Sequence, residues 1–227
     1  MPPSAPKNAA TVVVLAGEAH DLPRVVMIRR STKSRFMPST HVFPGGRVEP
    51  SDGTGDEAFA AAAARECLEE VGLSLAPTEL HWFDTWTTPS AEPRRYHARF
   101  FAAFVAPERI EGLSACERET FDLTRRTARG MLDAWAAGEA DLPPPTLGTL
   151  LRLADRTVAE IRAMIEAVDP APPILPKWIE RDGIHHVRLP HAPDYDRLPG
   201  EGAPAPARIA DLPHGFARKE GRWHPEA

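Results

Sequence analysis

Residues 58–72 read AFAAAAARECLEEVG, an alanine run that turns into three glutamates and ends in glycine. Alanine is the strongest helix former and glycine suits the left-handed residue that closes a helix, so this stretch is committed to one helix. Thr54 and Glu57 have the spacing of a capping box at its start. At about 100° per residue, Glu66, Glu69 and Glu70 share an arc of roughly 100°. They form one acidic face on a rigid element. No lysine lies a turn away from Glu66 or Glu70, and like charges at i, i+4 repel by about 0.2–0.5 kcal/mol. A hard divalent cation would compensate, because Mg²⁺ takes oxygen ligands and joins one or two carboxylates to substrate phosphates. The competing reading is a solvated acidic face, the usual fate of a charge run.

Around this helix the chain alternates strand and helix signals. Thr11 to Leu15 and Arg24 to Arg30 are β-branched or aliphatic runs separated by the turn GEAHDLP, after a loose leader over residues 1–9. Val42 and Phe43 make a short strand that runs into the forced turn Pro44-Gly45-Gly46. After the acidic helix come strands over His81 to Thr88 and Tyr96 to Val105, then helical spacing over 127–138 and 147–168, divided by LPPPT. The order predicts an α/β (α+β) layer fold, a mixed β-sheet sandwiched between helices. Trp82, Trp86 and Phe104 fall at strand positions and read as core more readily than as base-stacking platforms. Many of the 25 prolines follow residue 169, so residues 169–227 read as an extended, loop-rich extension to a domain spanning 1–168.

Charge and cysteine usage narrow the function classes. A net charge of -5 argues against a general nucleic-acid binder, which would carry a basic patch. The apolar run TVVVLAG is too short for a membrane span or a signal-peptide core, which leads to the expectation of a cytoplasmic protein with no membrane partner. Cys67 and Cys116 lie far apart without a C-x-x-C partner, so neither a zinc site nor a disulfide framework is indicated, and Cys67 reads as a small buried residue. His185-His186 and His191-x-x-Asp194 lack the spacing of a closed ligand set.

The segment FPGGRVEPSD, the acidic helix and the following Gly-Leu resemble the Nudix box, G-x5-E-x7-R-E-U-x-E-E-x-G-U with U aliphatic. Gly46, Arg65, Glu66, Glu69, Glu70, Gly72 and Leu73 match, with Cys67 at the first U. The first half departs: after five intervening residues Gly46 is followed by Asp52 and not Glu, whereas Glu57 has the required spacing before Arg65, so either could fill the place of the first box glutamate. Upstream, V-M-I-R-R-S-x3-R-x7-F-P-G-G is similar to the extra motif of the coenzyme A diphosphatase branch, through Arg30, Ser31, Arg35, Phe43, Pro44, Gly45 and Gly46. Ile28 and Ser39 replace its Thr and middle Gly. FMPSTHVFPGGRVEPSD, RRYHARFF and the run from Gly138 to Thr146 resemble the peroxisomal-type and bacterial members of that branch.

The resemblance implies a Nudix fold and a hydrolase that cleaves the diphosphate of a nucleoside diphosphate linked to another group. Coenzyme A or an acyl-CoA is the favoured substrate, giving 3′,5′-ADP and (acyl-)4′-phosphopantetheine. ADP-ribose, a dinucleotide or an oxidised nucleotide is the alternative, and a non-catalytic Nudix module that senses a ligand or binds a protein is a third reading. It further implies Mg²⁺ or Mn²⁺ held by Glu66, Glu69, Glu70 and the carbonyl of Gly46, with Arg65, Glu66 and Glu69 catalytic. A later glutamate, Glu119 in preference to Glu117, would be the water-activating base. Arg30, Arg35, Phe43 and Gly45 fall on the substrate side, the arginines through bidentate phosphate contacts. The implied partner is a small nucleoside diphosphate derivative, with homodimerisation left open.

Overall fold

Strand β1 (Lys7–Ala16) is buried on both faces from Val12 to Leu15, and the rest of the fold is arranged around it. The computed structural model describes residues 4–32, 38–115 and 120–227, with the side chains of residues 120 and 121 excepted. After β1 come β2 (Arg24–Arg30), β3 (His41–Val42), β4 (Gly45–Arg47), α1 (Glu57–Val71), β5 (Leu80–Thr87), β6 (Tyr96–Val105) and β7 (Thr120–Thr127). Three helices follow, α2 (Ala128–Ala136), α3 (Pro144–Leu153) and α4 (Val158–Ala167), then β8 (Lys177–Arg181), β9 (Ile184–Arg188), β10 (Gly215–Lys219) and β11 (Arg222–Glu226).

The first seven strands form one mixed sheet. β1 runs parallel to β6 from Lys7↔Tyr96 to Ala16↔Val105, and antiparallel to β2 at one end and β4 at the other. A strand flanked and covered in this way needs apolar side chains on both faces, which explains the continuous VVVLA run. On one face, Ala10, Val12 and Val14 pack with Phe59, Ala62 and Ala63 of α1. On the other, Val13, Leu15 and Met27 join Met131, Leu147, Leu150 and Ile161 from the later helices.

That second core also contains Val187, Leu189, Ile209, Leu212, Phe216 and Trp223. The proline-rich segment therefore is not only extended and loop-rich: it carries a four-stranded antiparallel sheet, β11-β10-β9-β8, packed on the same core as the first sheet. Its two tight hairpins turn at Asp182-Gly183 and Glu220-Gly221, all four residues at positive φ, as two-residue hairpin loops require.

Three other boundaries differ from the sequence expectation. The last residues of the leader belong to β1, which begins at Lys7. The 147–168 helix is two helices: α3 starts earlier, because Pro144 and Pro145 are tolerated in a first turn, and stops at Leu153. Asp155 is left-handed (φ 61°), and Thr157 starts α4 through a capping box with Glu160. The Thr54–Glu57 box is absent, for the residue before α1 is Asp56 and no side chain caps there. Asp56 instead meets Arg99 of β6 at 2.6 Å. Gly72, at φ 76°, closes α1 as a left-handed cap. No helix among the described residues is long and apolar enough to cross a membrane.

Candidate active site

The sequence forces β4 and α1 into close approach. A Cβ on Gly45 would lie 2.4 Å from the carbonyl oxygen of Ala10, so only glycine lets β4 reach β1 there. A Cβ on Gly46 would lie 2.2 Å from Oε1 of Glu66, so the second glycine makes room for that carboxylate. One turn further along α1, Oε2 of the buried Glu70 accepts the backbone N–H of Gly45 at 2.9 Å. Two carboxylates of the acidic face thus sit on Gly45-Gly46, where the expected turn is confined to a bend at Pro44 because both glycines are already paired with β1 as the start of β4.

Arg65 organises the rest. Its Nε and Nη2 donate to the two oxygens of Asp52 at 2.9 and 3.0 Å, a bidentate fork. Its Nη1 donates to Oε1 of Glu66 at 2.9 Å and to Oε2 of Glu69 at 3.2 Å, while Nη2 also reaches the carbonyl of Arg47 at 3.0 Å. The i, i+4 pairing of Arg65 with Glu69 follows from helix geometry. The Asp52 side chain is only 4% exposed. The Arg65 guanidinium, aided by the Glu49 N–H at 2.7 Å, holds its carboxyl below the usual range against the opposing effect of burial. The same contacts push Arg65 further toward its charged form.

Of the two acids that could precede the helix, Asp52 therefore meets Arg65, whereas Glu57 is the exposed first residue of α1. Glu69 lies on the outer side, 58% exposed, with Arg65 as its partner. Among the described residues, no three acidic, histidine or cysteine side chains gather closely enough to close a metal site by themselves. Burial pushes the Cys67 thiol up to about 12, so this residue is inert packing inside the helix.

The remaining sequence candidates are placed as follows. Arg30 ends β2, its backbone opposite Thr120 of β7 and its N–H on the carbonyl of Thr40. Phe43 is buried in the larger core. Arg35, Cys116, Glu117 and Glu119 lie outside the described residues. His186 pairs with Glu226 and His191 with the carbonyl of Leu212, while Asp194 pairs with Arg188. Trp86 is buried in the larger core with Phe104 packed half-buried against it, whereas Trp82 packs half-buried against the core on the α1 side.

One participant that sequence reasoning passed over is Arg99, which lies against Phe59 of α1. Its signal is phase: in YHARFF, Arg99 shares the strand face of the buried Phe101, so an arginine is aimed into the α1 side of the sheet.

The chain belongs to the NUDIX domain family, whose model matches residues 5–135, more than half of its length. It is similar to the Caenorhabditis elegans protein named "Putative nudix hydrolase 7", with 27% identity over 182 residues. That match covers 65% of this chain and 60% of the relative, so the chain spans about 60% of the length of that protein. Among solved structures, a NUDIX hydrolase from Alicyclobacillus acidocaldarius superposes with a TM-score of 0.62 at 23% identity, covering 74% of this chain and 99% of the other. This is the Nudix fold, a mixed sheet between helices. Neither relative carries coenzyme A in its name.

Proposed function

We propose that the chain is a metal-dependent hydrolase of a nucleoside diphosphate linked to another group, with coenzyme A or an acyl-CoA as substrate. The observation that carries the reading is the seating of Glu66 and Glu70 on Gly45-Gly46, with Arg65 anchored on Asp52 beside them. An acidic face that merely faced water would have no reason to bury Glu70 against a backbone N–H or to fold Glu66 into the space left open at Gly46.

Nudix hydrolases generally use divalent metal ions, and the residues fit one: the donors are all oxygens, and Gly45 and Gly46 carry no Cβ to block their approach. Glu66, Glu69, Glu70 and the Gly46 carbonyl would hold Mg²⁺ or Mn²⁺. A bound divalent ion neutralises diphosphate charge and lowers the pKa of water. The chain's own residues do the rest. Arg65 restrains Glu66 and Glu69 through the hydrogen bonds of its Nη1. Glu119 is assigned as the base that takes a proton from the attacking water, and it directly precedes Thr120, whose backbone opposes Arg30 in the β2–β7 ladder. Arg30 and Arg35 are assigned to substrate phosphate. Water adds to one phosphorus and the bridging oxygen leaves, releasing 3′,5′-ADP and (acyl-)4′-phosphopantetheine.

A panel of coenzyme A, acetyl-CoA, ADP-ribose and dinucleotides, incubated with Mg²⁺ or Mn²⁺ and read by product identity, tests this. Coenzyme A is expected to be cleaved, and Glu69→Gln or Glu70→Gln to lower turnover at least about a hundredfold with the fold retained. Near-normal turnover of both variants at saturating metal defeats the site assignment.

A further inference from the structure

The start of α1 is gripped by one side chain from β6. The guanidinium carbon of Arg99 lies 4.1 Å from the ring centroid of Phe59 and 4.1 Å from that of Trp82, sandwiched between a ring of α1 and a ring of β5. Its Nη2 donates to Asp56, the residue before the helix, at 2.6 Å. Its Nε is buried and has no hydrogen-bond partner. Hydrogen bonding alone therefore does not explain where the guanidinium sits; the planar stack does.

The gripped face is also the catalytic face. Phe59, Glu66 and Glu70 are spaced by seven and then four residues, which at about 100° per residue places all three within about 40° of one another. Between them the helix meets the sheet through Ala62 and Ala63 against Ala10 of β1, all fully buried. Alanines let the helix lie close but give it no ridge to resist rolling. A roll of about 20° at a side-chain radius of about 5–6 Å moves a carboxylate sideways by about 2 Å. That displacement exceeds the tolerance of the 2.9 Å contact between Glu70 and Gly45.

We propose that Arg99 is a positioning residue: its stack between Phe59 and Trp82 sets the roll of α1, and so seats Glu66 and Glu70 on Gly45-Gly46 two to three helical turns away. The meaning of those carboxylates as metal ligands rests on the function proposed above. Their seating does not, because the Gly45 amide donates to Glu70 and reports the contact without metal or substrate.

The test uses the full-length protein. Arg99→Met keeps the length and apolar stem but removes charge and plane, and Arg99→Lys keeps the charge alone. Gly45 amide exchange is read by NMR, and affinity for Mn²⁺ alone by an electron paramagnetic resonance titration. Both variants are expected to speed Gly45 exchange about tenfold, the scale of losing a desolvated cation–π stack, and to weaken Mn²⁺ binding by a similar factor. The amides of Val13 and Val14 in β1 should keep wild-type protection. Unchanged Gly45 exchange in the folded variants overturns the proposal, as does a rise shared equally with β1, which would mean general loosening. Should both Arg99 variants fail to fold, Trp82→Leu removes one layer of the stack without touching α1 and carries the same expectations. A wild-type protein that binds no Mn²⁺ counts against the hydrolase reading, while Gly45 exchange still decides the role of Arg99.

Discussion

Nε of Arg208 donates to Oδ1 of Asp84 at 2.8 Å, joining the C-terminal segment to the middle of β5 inside the protein. The Asp84 side chain is 2% exposed, and its other oxygen accepts from Arg152 of α3 at 3.1 Å. The carboxylate also takes the Thr85 N–H and the Trp86 indole N–H, while Nη1 and Nη2 of Arg208 donate to the carbonyls of Asp169 and Pro172. Two arginines from separate elements thus converge on one buried acid.

Asp84→Asn should therefore be severely destabilising. It leaves two buried guanidiniums without their counter-charge, and breaking a buried pair from one side costs about 3–5 kcal/mol. For a chain of this size each kcal/mol moves Tm by about 2–4 °C, so a fall of about 10 °C is expected in a thermal melt. Arg129→Ala, which removes an ion pair whose side chains are both at least half exposed, should leave the melt close to that of the wild type. A variant of Asp84 that melts alongside the Arg129 variant would show that the buried triad is not coupled to folding.

Residues 1–168 alone are not expected to fold cooperatively. Truncation removes Val187, Leu189, Ile209, Leu212, Phe216 and Trp223 from a core they share with β1 and α3. At about 1.5–3 kcal/mol for each large apolar side chain, that loss is comparable to the whole stability of a domain, about 5–15 kcal/mol. A calorimetric scan of the truncated chain should show no cooperative transition, and a sharp one near the full-length Tm would restore the C-terminal segment to the status of an appendage.

These cases mark what the sequence could and could not tell. The acidic helix and its Gly72 stop were legible because helix periodicity and glycine's conformational freedom are local, whereas the turn expected over Pro44-Gly45-Gly46 is a bend at Pro44 with both glycines already in β4. The strands over Thr11 to Leu15 and Arg24 to Arg30 were legible too. The choice between Asp52 and Glu57 was not, because the 3-10 turn at Pro50–Asp52 carries Asp52 back to Arg65 across a distance that spacing alone cannot give. The C-terminal sheet was hidden for a related reason: its strands are five residues long and interrupted by prolines in the loops, so no window shows a period. The partners of Arg99 and Arg208 lie far away in sequence, so strand phase gave the face of Arg99 but not what it meets, and nothing local marked Arg208.

The Asp52–Arg65 fork predicts a specific acid limb in the stability profile. Asp52 is held below the usual carboxylate range in the folded protein. A depressed carboxyl contributes stability above its unfolded pKa, about 4, and loses it as pH falls through the lower folded value. Asp52→Asn should therefore be less stable than wild type at pH 7 in urea melts, and the gap should narrow as the pH falls from about 4 through the lower folded value of Asp52. Because the fork also orients Glu66 and Glu69, turnover should fall with it at pH 7. A gap that stays constant down the whole acid limb, until the protein unfolds, would assign the loss to packing and not to the ion pair.

The substrate can be tested through Arg30. Coenzyme A carries a 3′-phosphate that ADP-ribose lacks, and recognising it requires a cation that a carboxylate-lined metal site cannot supply. Arg30 ends β2 beside the Thr40 carbonyl, one strand away from Gly45-Gly46, and Arg35 follows it in the motif that resembles the coenzyme A diphosphatases. A charge-assisted contact to that phosphate is worth about 1.5–3 kcal/mol, or roughly ten- to more than a hundredfold in kcat/KM. Arg30→Ala and Arg35→Ala should then lose that factor on coenzyme A and far less on dephospho-coenzyme A, whose diphosphate is the same but whose 3′-phosphate is gone. Equal losses on the two compounds would place both arginines at the shared diphosphate or in the fold. Failure of the wild type to cleave coenzyme A while it cleaves ADP-ribose would move the assignment to a substrate without the extra phosphate, and leave the metal-binding half of the site as it stands.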